Sequence, residues 1–218
     1  MAPAHDGEQI PVTLLYHRDT PVDGTAPLLL YGYGSYGITI PAAFRVTPLS
    51  LVDRGMIYAI AHIRGSQARG YGWYLDGKLE NKINTFRDFV SAGEALVSEG
   101  FATRGNMVAY GGSAGGLLVG AAINMQPDLF AGAIAAVPFV DVINTMSDPS
   151  LPLTPPEWPE WGNPLTSAED YDTIMAYSPY DNVADLPYPP MLITGGLSDP
   201  RVTYWEPTKW AARLRHDA

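Results

Sequence analysis

Residues 107–125 read MVAYGGSAGGLLVGAAINM, and the transition inside them decides the fold. Met107–Tyr110 is a short apolar run of strand length, and Ala114–Met125 is a longer run that suits a helix. Between them stands Gly111-Gly112-Ser113-Ala114-Gly115, a G-x-S-x-G sequence. A serine on so tight a strand-to-helix turn presents its hydroxyl outward, and its neighbours must be small for the backbone to pass. The same turn directs the backbone N–H of Ala114 toward a developing oxyanion, as acyl-transfer chemistry requires. In another setting these five residues are a glycine-rich turn with an N-capping serine. The strand before and the helix after select Ser113 as a nucleophile.

Working outward, short apolar runs alternate with amphipathic stretches, which predicts an α/β fold: a mostly parallel sheet with helices on both faces. The predicted strands are Val12–Tyr16, Leu28–Tyr31, Met56–Ala61, Met107–Tyr110, Gly132–Ala136 and Met191–Thr194. Thr85–Glu99 sets Phe86, Phe89, Val90, Leu96 and Val97 at helical spacing, and Gly100 ends it. Glu206–Arg215 reads as a further helix, with Pro207 tolerated in its first turn. Asp148–Pro164 holds six prolines in seventeen residues and is expected to be an ordered loop, neither helix nor central strand.

Composition bounds the function. At 218 residues, 46% hydrophobic and 17% charged, the chain has the makings of one sizeable core and is expected to form a single domain. A net charge of −10 disfavours nucleic acid and anionic membranes as partners. The absence of cysteine excludes disulfides and thiolate chemistry. The start, Met1 to Gln9, carries Asp6 and Glu8 and no apolar core of a signal peptide, so a cytoplasmic enzyme is expected, with no cofactor or metal.

Two further stretches flank the serine. Tyr31-Gly32-Tyr33-Gly34-Ser35-Tyr36-Gly37 formally spells G-x-G-x-x-G, but Ile38-Thr39-Ile40-Pro41 cannot open the helix a dinucleotide needs. A loop lining the oxyanion site, with Tyr33 as donor, fits better. Asp199, in Gly195-Gly196-Leu197-Ser198-Asp199-Pro200-Arg201 after the last predicted strand, is the favoured triad acid, with Asp141 as rival. Of the histidines, His5, His17 and His62 precede the nucleophile, and His216 sits near the terminus, where an imidazole is poorly held.

At these residues the chain resembles the catalytic part of the prolyl oligopeptidase family, and within it the oligopeptidase B branch. The stretches that carry the resemblance are YGYGSYG (31–37), RG (64–65), GGSAGGLLVGAAINMQPDLF (111–130), VPFVDV (137–142), EWPEWGNP (157–164), YSPYDN (177–182) and SDPRVTYWEPTKW (198–210). The resemblance implies an α/β-hydrolase fold and a serine peptidase that cuts short peptides after Arg or Lys. It implies Ser113 as nucleophile, Asp199 as acid, and Tyr33 with the Ala114 N–H as oxyanion hole. It further implies that Glu157 receives the basic side chain, that Phe139 lies beside it, and that Arg201 holds the substrate main chain. Those roles suit a guanidinium, which seeks a carboxylate and a flat surface.

Three departures stand out. Pro159 occupies the place of a second acidic residue, and Pro41 and Ala43 replace an acidic pair serving the next subsite. The family's histidine, in a final strand–loop–helix segment, and its N-terminal propeller are expected to lie outside the chain, truncated at both ends. The expectation is thus a peptidase domain whose triad is incomplete as it stands. A non-catalytic fragment that binds peptide or pairs with the remainder, and a small-molecule esterase, are the alternatives.

Overall fold

The computed structural model describes residues 1–217. Ala2–Pro3 (β1) and Gln9–Ile10 (β2) form a small antiparallel pair. The central sheet contains Val12–Leu15 (β3), Leu28–Tyr31 (β4), Ile57–Ala61 (β5), Met107–Gly112 (β6), Phe130–Ala136 (β7) and Met191–Thr194 (β8), in the order β3-β5-β4-β6-β7-β8. Only β3 pairs antiparallel; β5, β4, β6, β7 and β8 run parallel. The helices are Val46–Val52 (α1), Tyr71–Leu75 (α2), Ile83–Ser98 (α3), Ala114–Met125 (α4), Val142–Met146 (α5), Thr154–Trp161 (α6), Ala168–Met175 (α7) and Trp205–Asp217 (α8). Among the described residues, no helix is long and apolar enough to cross a membrane.

Strand periodicity divides the core in two. Leu28, Leu30, Ile57, Ala59, Met107 and Ala109 point into the main core, which also takes Phe86 and Phe89 of α3 and Leu117, Leu118 and Val119 of α4. The alternate positions Leu29, Tyr58 and Ile60 pack with Val52 of α1 on the other face. Both faces are covered where α1, α3 and α4 lie, which is why the strands read as continuous apolar runs. At the far edge, β8 leaves Leu192 57% exposed.

The predicted strands are present with shifts of one or two residues at their ends. The proline-rich segment is different: instead of a loop throughout, it contains α6. Pro155 and Pro156 sit in the first turn, where a helix has no use for their N–H groups. Pro159 does lie inside and removes one internal bond, but α6 is only two turns long and is held from outside. Trp158 Nε1 donates to Met146 O at 3.1 Å, and Thr154 Oγ1 to Thr145 O at 2.7 Å.

Candidate active site

Ser113 joins β6 to α4 with φ 56° and ψ −121°, left-handed backbone at a residue other than glycine. Such strain persists only where the surroundings enforce it. Here its N–H donates to Ala136 O at 2.9 Å, while its carbonyl accepts from Gly116 N at 2.8 Å and Phe139 N at 3.1 Å. The glycines make the turn possible. A Cβ on Gly111 would stand 2.0 Å from Gly115 O, and one on Gly116 would stand 2.4 Å from Pro138 Cα. Ala114 opens α4, so its N–H is among those a helix leaves without an internal acceptor.

Ser113 lines a cavity of about 350 Å³, together with Tyr33, Tyr36, Phe139, Glu157 and Arg201. Each comes from beyond the carboxyl end of a strand: Tyr33 and Tyr36 after β4, Ser113 after β6, Phe139 and α6 after β7, Arg201 after β8. Thr145, Met146, Leu153 and Val202 complete much of the wall. Of the residues expected from sequence, the structure therefore brings Ser113, Tyr33, Phe139, Glu157 and Arg201 together, with Ala114 adjoining.

Asp199 does not line the cavity. It is partly buried in the loop after β8, where its Oδ1 accepts from Arg201 N at 2.9 Å and Val202 N at 3.1 Å. Its bonds thereby shape the loop that presents Arg201 and Val202. Asp141 is engaged elsewhere: it is buried, takes Asn144 Nδ2 at 2.7 Å and pairs with Lys209 Nζ at 2.5 Å. No histidine lines the cavity among the described residues. His62 Nε2 meets Thr13 Oγ1 at 2.8 Å, and His216 lies beside Asp217 with its side chain 88% exposed.

The Glu157 carboxylate is the electrostatic focus. Its Oε2 accepts from Tyr36 Oη at 2.8 Å and from Trp161 Nε1 at 2.8 Å. Burial, then the charge of Glu157, pushes the Tyr36 phenol far above its ordinary value, so it donates and stays neutral. The Tyr33 phenol is raised by the same two causes in the same order, opposed by the neighbouring Ser113. A neutral phenol is what an oxyanion donor must be.

Behind this wall lie two buried ionisable residues, Glu160 and Lys82, that sequence reasoning missed. Glu160 Oε1 accepts the Tyr36 N–H at 2.8 Å, and Oε2 accepts Tyr74 Oη at 2.6 Å. Lys82 Nζ donates to Gly34 O at 2.6 Å, Ser35 Oγ at 2.9 Å and Gly77 O at 3.2 Å. Burial pulls the lysine down to about 7, with Glu160 acting against it. Together the two side chains hold the Tyr33–Gly37 loop, Glu160 at the Tyr36 N–H and Lys82 at the Gly34 carbonyl and the Ser35 hydroxyl. This loop turns through positive φ at Gly34, Tyr36 and Gly37.

Comparison with known proteins gives a consistent result. A family profile described as the prolyl oligopeptidase family matches residues 42–218. The chain is 54% identical over 215 residues to dipeptidyl aminopeptidase BI of Pseudoxanthomonas mexicana, covering 98% of this chain and 30% of that protein. It is 50% identical over 214 residues to protease 2 of Moraxella lacunata, covering 98% and 31% respectively. Its fold is similar to that of oligopeptidase B from Leishmania major, with a TM-score of 0.96 at 50% identity, over 99% of this chain and 30% of that one. The fold is that of the α/β-hydrolase catalytic domains of such peptidases, and the chain spans under a third of the length of these relatives.

Proposed function

The chain belongs to the prolyl oligopeptidase family, and on that premise we propose that it forms the catalytic part of a serine peptidase cutting short peptides after Arg or Lys. The observation that carries this reading is Ser113, held at φ 56° on the edge of a cavity whose only acidic wall residue, among the described residues, is Glu157. A basic side chain entering beside Phe139 meets that carboxylate, and the scissile carbonyl is then presented to Ser113. Tyr33 and the Ala114 N–H receive the oxyanion as the serine oxygen attacks. Arg201 holds the substrate main chain on the opposite wall, and Asp199 orients the base. Pro41 and Ala43 bring no charge to the next subsite, so paired basic residues gain nothing over single ones.

A serine at its free pKa is a poor nucleophile without a base to take its proton. No histidine of the described residues lines the cavity, which supports a triad completed by a histidine from outside them. The test compares the 218-residue chain with one extended by a C-terminal segment bearing a histidine. Fluorophosphonate labelling of Ser113 and cleavage of Arg substrates are expected in the second and almost absent in the first. Efficient cleavage by the short chain, lost on His216→Ala, makes His216 the base and overturns the incomplete triad.

A further inference from the structure

We propose that Lys82 is a positioning residue for the oxyanion donor: its buried ammonium fixes the backbone beside Tyr33 and so holds the phenol at Ser113. This rests on the assignment of Tyr33 as that donor. Tyr33 stands between two anchored glycines. On one side the Gly32 N–H donates to Tyr110 O at 3.3 Å, at the end of the sheet. On the other the Gly34 carbonyl accepts from Lys82 Nζ at 2.6 Å, and no other donor reaches it among the described residues. An ammonium carries three N–H donors and no acceptor. Lys82 Nζ meets three oxygens, Gly34 O, Ser35 Oγ and Gly77 O, so every donor is used. The rings of Trp161 and Phe86, with centroids 5.0 and 5.8 Å from Nζ, favour a cation there.

The loop needs such a hold, because it turns through positive φ at Gly34, Tyr36 and Gly37 and keeps that shape only where its surroundings enforce it. Lys82 precedes α3, whose Phe86 and Phe89 lie in the core, so the hold comes from a rigid element. Glu160 takes the Tyr36 N–H, two residues beyond the carbonyl next to Tyr33. Without Lys82 that buried carbonyl has no partner, and the loop gains by turning it toward water. Packing is the rival account. A Cβ on Gly34 would stand 2.4 Å from Thr85 Cγ2, and one on Gly65 would stand 2.0 Å from Gly34 O. Volume and hydrogen bonding must therefore be separated.

The 218-residue chain has no cysteine, so Lys82→Cys supplies its single thiol. Alkylation of the unfolded variant with bromoethylamine rebuilds an ammonium on a lysine-length stem. Bromopropane builds a stem of the same length and volume with no donor. With fluorotyrosine in place of Tyr33, the fluorine resonance reports the ring's surroundings after refolding. Spectra are taken below neutral pH, where the lysine is charged although burial lowers its pKa. The aminoethyl form is expected to return the resonance of the unaltered chain. The propyl form should fold, by its melt, yet shift toward free fluorotyrosine. A propyl spectrum that matches the unaltered chain leaves packing as the cause and overturns the proposal. If neither alkylated form refolds, the unaltered chain decides through its Lys82 ammonium protons. Slow exchange with water is expected, and exchange as fast as at Lys78 and Lys209 overturns the proposal. These readings follow ring position and not turnover. Turnover that survives Tyr33→Phe in a catalytically active form instead removes the oxyanion assignment, and leaves the fluorine result standing.

Discussion

Glu206, in the first turn of α8, accepts the backbone N–H of Val140 at 2.8 Å. The same Oε2 takes the Asp141 N–H at 3.0 Å, and Oε1 takes the Thr145 hydroxyl at 2.6 Å. One buried carboxylate thus ties the helix that follows the Asp199 loop to the segment that presents Phe139. The two backbone N–H groups can only donate, so they need this Oε2. Glu206→Ala leaves both without an acceptor in a buried place, and should cost about 1–3 kcal/mol. Urea denaturation followed by far-ultraviolet circular dichroism checks this; an unchanged midpoint would show the staple to be dispensable.

If Glu157 receives the substrate's basic side chain, Glu157→Gln in a catalytically active form should raise the barrier in kcat/KM for Arg substrates by about 2–4 kcal/mol, because an enclosed cation loses its charge partner. A neutral substrate such as Leu should be nearly unaffected. Equal losses for both would mean that Glu157 supports the fold and does not read the substrate.

The glycines of the nucleophile turn and those of exposed helices should behave oppositely. Gly111→Ala drives a methyl against Gly115 O, a backbone atom that cannot swing aside. Loss of well over 2 kcal/mol, or failure to fold, is the expected outcome. In α2, a Cβ on Gly72 meets nothing within 4 Å, so Gly72→Ala should stabilise by about 0.5–1 kcal/mol. Thermal melts of the two variants decide.

Burial holds the His62 imidazole below its ordinary value, so the folded chain favours the neutral ring. Below about pH 6.5 the unfolded chain binds the extra proton and the folded chain resists it, so stability present above that pH is lost as the pH falls. The ring is only about half buried and water screens it, so the effect should stay under about 1 kcal/mol. His62→Gln should show a smaller drop in melting temperature between pH 7.5 and pH 5.5 than the parent. Parallel curves would remove His62 as the cause.

Leu192 lies mid-strand in β8, whose outer edge has no partner strand among the described residues, an invitation to strand addition by another copy. The 218-residue chain should self-associate as concentration rises, and Leu192→Lys should suppress this. Light scattering that does not change with the substitution would place the contact elsewhere.

The sheet and the Ser113 turn were legible because their signals are local: apolar runs of strand length, and small residues around one serine. The cavity wall was less so. Glu157, Glu160 and Trp161 share a face only if 154–161 is helical, and prolines at 155, 156 and 159 argue against that locally. The helix survives because Trp161 is buried and because Trp158 and Thr154 bond to the preceding segment, contacts that no local window contains. Lys82 and Glu206 escaped notice for a related reason. Both belong to residue types that normally face water, and their burial depends on partners dozens of residues away.

The Tyr36–Glu157 bond closes a loop of 121 residues, and the Val140–Glu206 bond one of 66. Contacts so remote in sequence form only after the intervening chain has collapsed, whereas α3 and α4 need little beyond their own turns and neighbours. During refolding, helical signal should therefore return before ligand binding does. Assembly of the Ser113 cavity becomes a late milestone of folding, absent from every partly assembled chain that has its helices but not its walls.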